Sequence, residues 1–105
     1  MRDVVPHFTL VGFEHFELAA TAVLTRRRLG MTYRARYNDR TTERVVSPQR
    51  LVHYRANWYL DGWCHAREDI RSFAVDGIQK LELLEEKAKN VPDKDLDDVL
   101  ASGYG

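Results

Sequence analysis

The chain has one cysteine, Cys64, which excludes an internal disulfide and any zinc site built on several thiols. It has no apolar run near the ~18 residues of a membrane span, and no charged-then-apolar secretory pattern at its N-terminus. These absences point to a reducing, cytoplasmic setting without membrane contact. No glycine-rich loop follows a strand pattern, and no Ser, His and acid set stands at a recognisable spacing. Cys64 and His65 are adjacent, but neighbouring strand residues face opposite ways, so they do not make a nucleophile–base pair. Cys64 reads instead as a small buried apolar residue. Two strand histidines without a carboxylate at ligand spacing make a poor metal site. The expectation is a protein that is not an enzyme and carries no cofactor.

What is present is ordinary in amount and uneven in placement. The 105 residues fit one domain, and 44% are hydrophobic. The formal net charge is zero. Residues 1–80 hold 13 Lys and Arg against 9 Asp and Glu, and residues 81–105 hold 3 against 7. Every basic residue before Lys80 is an arginine, with the densest run between Arg26 and Arg55. Arginine presents a planar fork of donors that suits phosphate and stacks on bases. The plainer reading is a solvated surface.

The hydrophobic period divides the chain. Residues 1–12 read as an irregular lead-in punctuated by Pro6 and Gly12. Phe13, Phe16, Ala20, Val23 and Leu24 recur at helical steps, predicting a helix over 13–29. Arg26, Arg27 and Arg28 would then lie in its last turn, with Gly30 as the stop. From Met31 to Tyr37 the period changes to two, the mark of a half-buried strand. Asn38 to Arg40 is a turn. A second strand, 41–46, is interrupted by Ser47-Pro48 and resumes over 50–55, which predicts a bend or bulge at the proline. Strands follow at 58–65, 70–75 and 78–84, separated by polar turns. Pro92 opens a short helix through Leu100, with Asp93, Asp95, Asp97 and Asp98 near its positive end. The expected class is mainly β with an N-terminal helix. Short connections favour antiparallel neighbours, and a small five-stranded Sm-like or SH3-like barrel satisfies the order.

Three blocks carry a family resemblance. They are Arg44-Val45-Val46-Ser47-Pro48, then Asn57-Trp58-Tyr59-Leu60, then Arg71-Ser72-Phe73-Ala74-Val75-Asp76-Gly77-Ile78. Their order and spacing strongly resemble the WYL domain, named for the Trp-Tyr-Leu triplet found here at 58–60. The triplet alone is weak evidence; the flanking R-x-x-x-P and R-x-F-x-x-D-x-I make the match specific. The resemblance covers roughly residues 14–84. It implies an Sm-like domain over 13–86, of the kind that commonly follows a winged helix-turn-helix in bacterial transcription regulators. Residues 87–105 resemble a linker and the start of the C-terminal extension that helps such regulators form homodimers. The chain is then expected to be a piece of a longer regulator. Duplex DNA would be read only by a helix-turn-helix that this sequence does not contain. The implied effector is single-stranded nucleic acid or a nucleotide-like ligand.

The resemblance also nominates residues. Arg44 and Arg71 match the family's characteristic arginines, and two guanidinium groups converging in a groove would hold a phosphate. One of them pairing with an acid to lock the fold is the structural alternative. Tyr33 matches the first-strand tyrosine, which either stacks on a base or serves the core. Ala35 stands where a small hydroxyl residue is frequent. Among residues not drawn from the motif, His53 and His65 would sit beside a phosphate or be half-exposed strand residues. Tyr59 shares a face with Asp61, Trp63 and His65, a ligand wall or a partner surface. Arg67, at a strand end, is a further phosphate candidate. Trp58 and Leu60 are expected in the core.

Overall fold

The computed structural model describes residues 10–35 and 38–101, with side chains from residue 13 onward, so the expectations for residues 1–9, for Arg36 and Tyr37, and for residues 102–105 fall outside it. Helix α1 spans Leu10–Thr25. It begins earlier than the expected lead-in allows and ends four residues sooner than expected. Arg26 takes a left-handed conformation, φ 56°, and strand β1 (Arg27–Ala35) follows at once. The three arginines are therefore not in the last helical turn, and Gly30 lies inside a strand. The reason is packing. Leu29 and Met31 alternate into the core, and Leu29 pairs with both Val46 and Leu83. Burying such side chains is worth about 1.5–3 kcal/mol each. The helix propensity of three arginines is worth only a few tenths.

The remaining elements are β2 (Arg40–Tyr54), β3 (Asn57–Cys64), β4 (Asp69–Ala74), a 3-10 turn at Val75–Gly77, β5 (Ile78–Lys87) and α2 (Asp93–Leu100). All pairings are antiparallel, in the order β4-β3-β2-β1-β5. Five strands and an N-terminal helix are thus as expected. Closure is not. β4 and β5 are the two edges of an open sheet, and among the described residues no ladder joins them into an Sm-like or SH3-like barrel. The 3-10 turn carries the chain between the edges, and α1 packs against β2, β5 and that turn.

Pro48 marks a register shift. It stands opposite Gly62, whereas Arg50 stands opposite Asp61, which leaves Gln49 as the extra residue of a bulge. The bulge lets one 15-residue strand serve both ends of the sheet. It also flips the alternation, so that Leu51 rather than Arg50 joins Leu60 and Phe73 on the core face. Gly62 makes the tight crossing possible: a Cβ there would lie 2.7 Å from the Ser47 carbonyl oxygen and from Val46 Cγ1. Leu60 is fully buried as expected, and Trp58 is half-buried, its ring meeting Phe16 of α1 edge-on at 4.9 Å.

β5 runs three residues past its expected end. Its last residues, Glu85 to Lys87, are charged, as suits an exposed edge. Residues 88–100 then pack back onto the sheet. The Ala88 N–H donates to the Arg26 carbonyl at 2.9 Å. α2 lies against β4 with Leu96 and Leu100 buried. Neither described helix is long and apolar enough to cross a membrane.

Candidate functional site

Alternation decides which side chains meet. On β2, Arg44 shares the core face with Val46. On β4, Arg71 shares it with Phe73. Arg44 donates from Nε to Thr42 Oγ1 at 3.0 Å, and its Nη1 lies 3.7 Å from Cys64 Sγ. Its guanidinium stands 5.5 Å from the Phe73 ring centroid, a cation–π arrangement. Among the described residues it forms no ion pair. Arg71 donates from Nε to Asp69 Oδ1 at 3.0 Å, with its side chain still 38% exposed.

The two arginines are linked through one cross-strand pair. Arg44 touches Cys64, Arg71 touches Asp69, and Cys64 and Asp69 are directly opposite each other. The cross-strand partner of Arg71 is Gly62, which has no side chain to stand between β4 and β2. Cys64 is fully buried beneath this corner, as its apolar reading requires. On the opposite face a shallow trough of about 890 Å³ runs over β2, β1 and β5, with the side chains of Thr32, Val45, His65 and Lys80 among its lining. Arg44 thus has no acid partner among the described residues, and Arg71 shares its charge with Asp69.

The other nominated residues scatter. Tyr33 packs edge-on to Phe73 with ring centroids 5.0 Å apart, and its hydroxyl accepts the Ala74 N–H at 3.1 Å. It joins the core to a second hollow of about 310 Å³, bounded by Arg34, Asp39, Asp76 and Gly77. His53 is exposed at the β2–β3 hairpin, its ring 4.8 Å from that of Trp58. Tyr59 is half-buried on β3 between Val52 and Ala74, and Arg67 is exposed in the β3–β4 turn. His53 and Arg67 lie at the hairpin ends, and the contacts of the nominated residues converge on Phe73, which meets both the Arg44 guanidinium and the Tyr33 ring.

On the opposite face the structure gathers a cluster that the sequence did not signal. Ser47, fully buried, stands with its Oγ 2.7 Å from His65 Nε2 and accepts the Lys89 N–H at 2.8 Å. The partners are 18 and 42 residues away along the chain, and no spacing rule announces them. Burial lowers the pKa of His65 below its ordinary value, Arg28 and Lys89 lower it further, and Glu86 opposes them. Nearby, Arg50 joins the fully buried Asp61 at 2.8 Å to Asp97 of α2 at 3.0 Å.

The fold and the motif have counterparts elsewhere. Proteasome accessory factor B/C (PafBC) of Arthrobacter aurescens superimposes with a TM-score of 0.73 at 22% identity, over 97% of this chain and 15% of that one. The chain therefore spans a small part of that protein's length. No curated protein sequence matches it. The WYL domain family matches residues 14–83, from the first turns of α1 to the middle of β5. That stretch is two thirds of the sequence and contains all three motif blocks, and the chain belongs to the WYL domain family.

Proposed function

We propose that this WYL domain is the effector-sensing module of a bacterial transcriptional regulator, and that it binds rather than transforms its ligand. The effector is a phosphate-bearing molecule, single-stranded nucleic acid or a nucleotide, received between Arg44 and Arg71. The observation that carries the reading is the Arg44 guanidinium. It is held over Phe73 and beside Cys64, is only half-buried, and has no carboxylate partner among the described residues. A fixed, half-buried guanidinium without a counter-charge is suited to a bidentate anion contact. Arg71 would exchange part of its Asp69 contact for the same anion. Binding would alter the pose of an attached helix-turn-helix. The similarity in fold to PafBC agrees with a WYL domain working inside a longer protein.

A second reading rests on the Arg71–Asp69 pair and on the exposed apolar side chains of α1, Phe13 and Leu24. Under it the domain is an assembly module that joins a regulator into a homodimer. Fluorescence-anisotropy titration with a 5′-labelled single-stranded DNA separates the two. Saturable binding lost in Arg44→Ala and Arg71→Ala supports the sensing reading. Absence of binding to DNA and to free nucleotides, by a folded protein, moves the assignment to assembly.

A further inference from the structure

We propose that the Ser47–His65 hydrogen bond is a proton-controlled clasp that holds the 88–91 strap against the back of the sheet. The strap leaves the end of β5 and crosses the β2 bulge before α2 begins. Beyond the Ala88 N–H, held by the Arg26 carbonyl, its attachment lies on two residues of that bulge. Ser47 Oγ receives the Lys89 N–H at 2.8 Å. The Gln49 side chain donates to the Lys89 carbonyl at 2.6 Å and accepts the Val91 N–H at 3.0 Å. Lys89 Nζ stands 5.0 Å from the Trp63 ring centroid.

The direction of the Ser47–His65 bond follows from proton counting. A hydroxyl has one proton to give. Ser47 is fully buried, already accepts from Lys89, and makes no other side-chain hydrogen bond among the described residues. Its proton therefore goes to His65 Nε2, which must be the bare nitrogen of a neutral ring carrying its hydrogen on Nδ1. Protonating His65 turns Nε2 into a donor. Two donors then face one oxygen, and the buried Ser47 proton has nowhere to go, a costly arrangement.

The surrounding charges push the same way. Arg28 of β1 and Lys89 of the strap both oppose an imidazolium, and Glu86 of β5 partly offsets them. Glu43, Lys80 and Glu82 line the trough that His65 also borders, and Arg67 and Glu68 belong to its own turn. Burial, then Arg28 and Lys89, hold His65 below its ordinary value, and loosening the strap removes the Lys89 share of that lowering. The strap is therefore fully fastened while His65 is neutral. It loosens as pH falls through the lowered value. Lys89 is the residue most affected, since it supplies both the N–H that Ser47 holds and the cation that repels the charged ring.

The test is amide hydrogen exchange by NMR on the whole chain between pH 7.5 and 5.0, corrected for intrinsic rates. Protection of the Lys89 and Val91 amides should fall about tenfold for each unit by which the fastened ring's pKa lies below the free one. The β2–β3 ladder amides should hold steady. The midpoint of the fall should coincide with the titration of the His65 ring itself. His65→Gln, which cannot titrate, should flatten the profile. Protection that is constant in the unmodified chain, a fall whose midpoint departs from the His65 titration, or an equal fall in His65→Gln would overturn the proposal.

Discussion

The guanidinium of Arg44 is held between the Phe73 ring, 5.5 Å from its centroid, and the Cys64 thiol, 3.7 Å from Nη1. An aromatic face and a thiol fix its position without neutralising it. That is what distinguishes it from Arg50, whose charge is committed to Asp61 and Asp97.

Arg44→Ala should abolish effector binding and leave the fold cooperative. The stability lost is that of a partly exposed cation–π contact, about 1 kcal/mol or less. Anisotropy titration and thermal melting of the same sample give both numbers. Loss of cooperative unfolding would make Arg44 structural.

If the ligand is single-stranded DNA held by two guanidinium–phosphate contacts, log K should fall with log[salt] with a slope of roughly −1.4. Removing Arg71 alone should reduce that slope by about 0.7. Titrations at 50 and 200 mM salt would then differ by about sevenfold in affinity. A salt-independent affinity would remove phosphate from the description of the ligand.

α2 lies beyond the matched family segment, yet it contributes buried apolar surface. Leu96 is 1% exposed, and Leu96→Ala should lower stability by about 2–4 kcal/mol in a single cooperative transition, read by urea denaturation. A separate early transition would mean that α2 unfolds on its own.

Asp61 is fully buried and Arg50 is its ion-pair partner. Arg50→Ala should cost about 3 kcal/mol, because it removes the ion-pair partner of a buried carboxylate. Asp97→Ala, on the exposed side of the same guanidinium, should cost under about 1 kcal/mol. Equal costs would show that the bridge to α2, not the buried pair, is the stabilising half.

Arg55 and Ala56 both have positive φ, 51° and 67°, at the two-residue turn of the β2–β3 hairpin. That geometry suits Asn-Gly. Ala56→Gly should therefore stabilise the protein by about 0.5–1 kcal/mol, the reverse of the usual glycine effect. Denaturant midpoints decide the sign.

Much of the strand order was legible because it rests on local signals. The two-residue period after Gly30, the turn residues near 38–40 and 67–69, and the bend at Pro48 all reappear in the fold. The helix end was not legible, because Arg26 to Arg28 are good helix formers. Only the pairing of Leu29 with β2 and β5 draws them into β1. Closure was not legible either, since pairing of β4 with β5 depends on how the Val75–Gly77 turn aims the chain. Of the candidate site, Arg44 and Arg71 were nominated by the motif alone. The gathering of Ser47, His65 and Lys89 was not legible, because it depends on where the chain returns after β5.

Gly62 sits beside the β2 bulge. Its missing side chain lets β3 cross that bulge, and its partner on the neighbouring strand β4 is Arg71. A library randomised at position 62 should therefore return a single survivor. Selection for curvature at the bulge falls on one hydrogen atom, in the residue that the sheet pairs with Arg71.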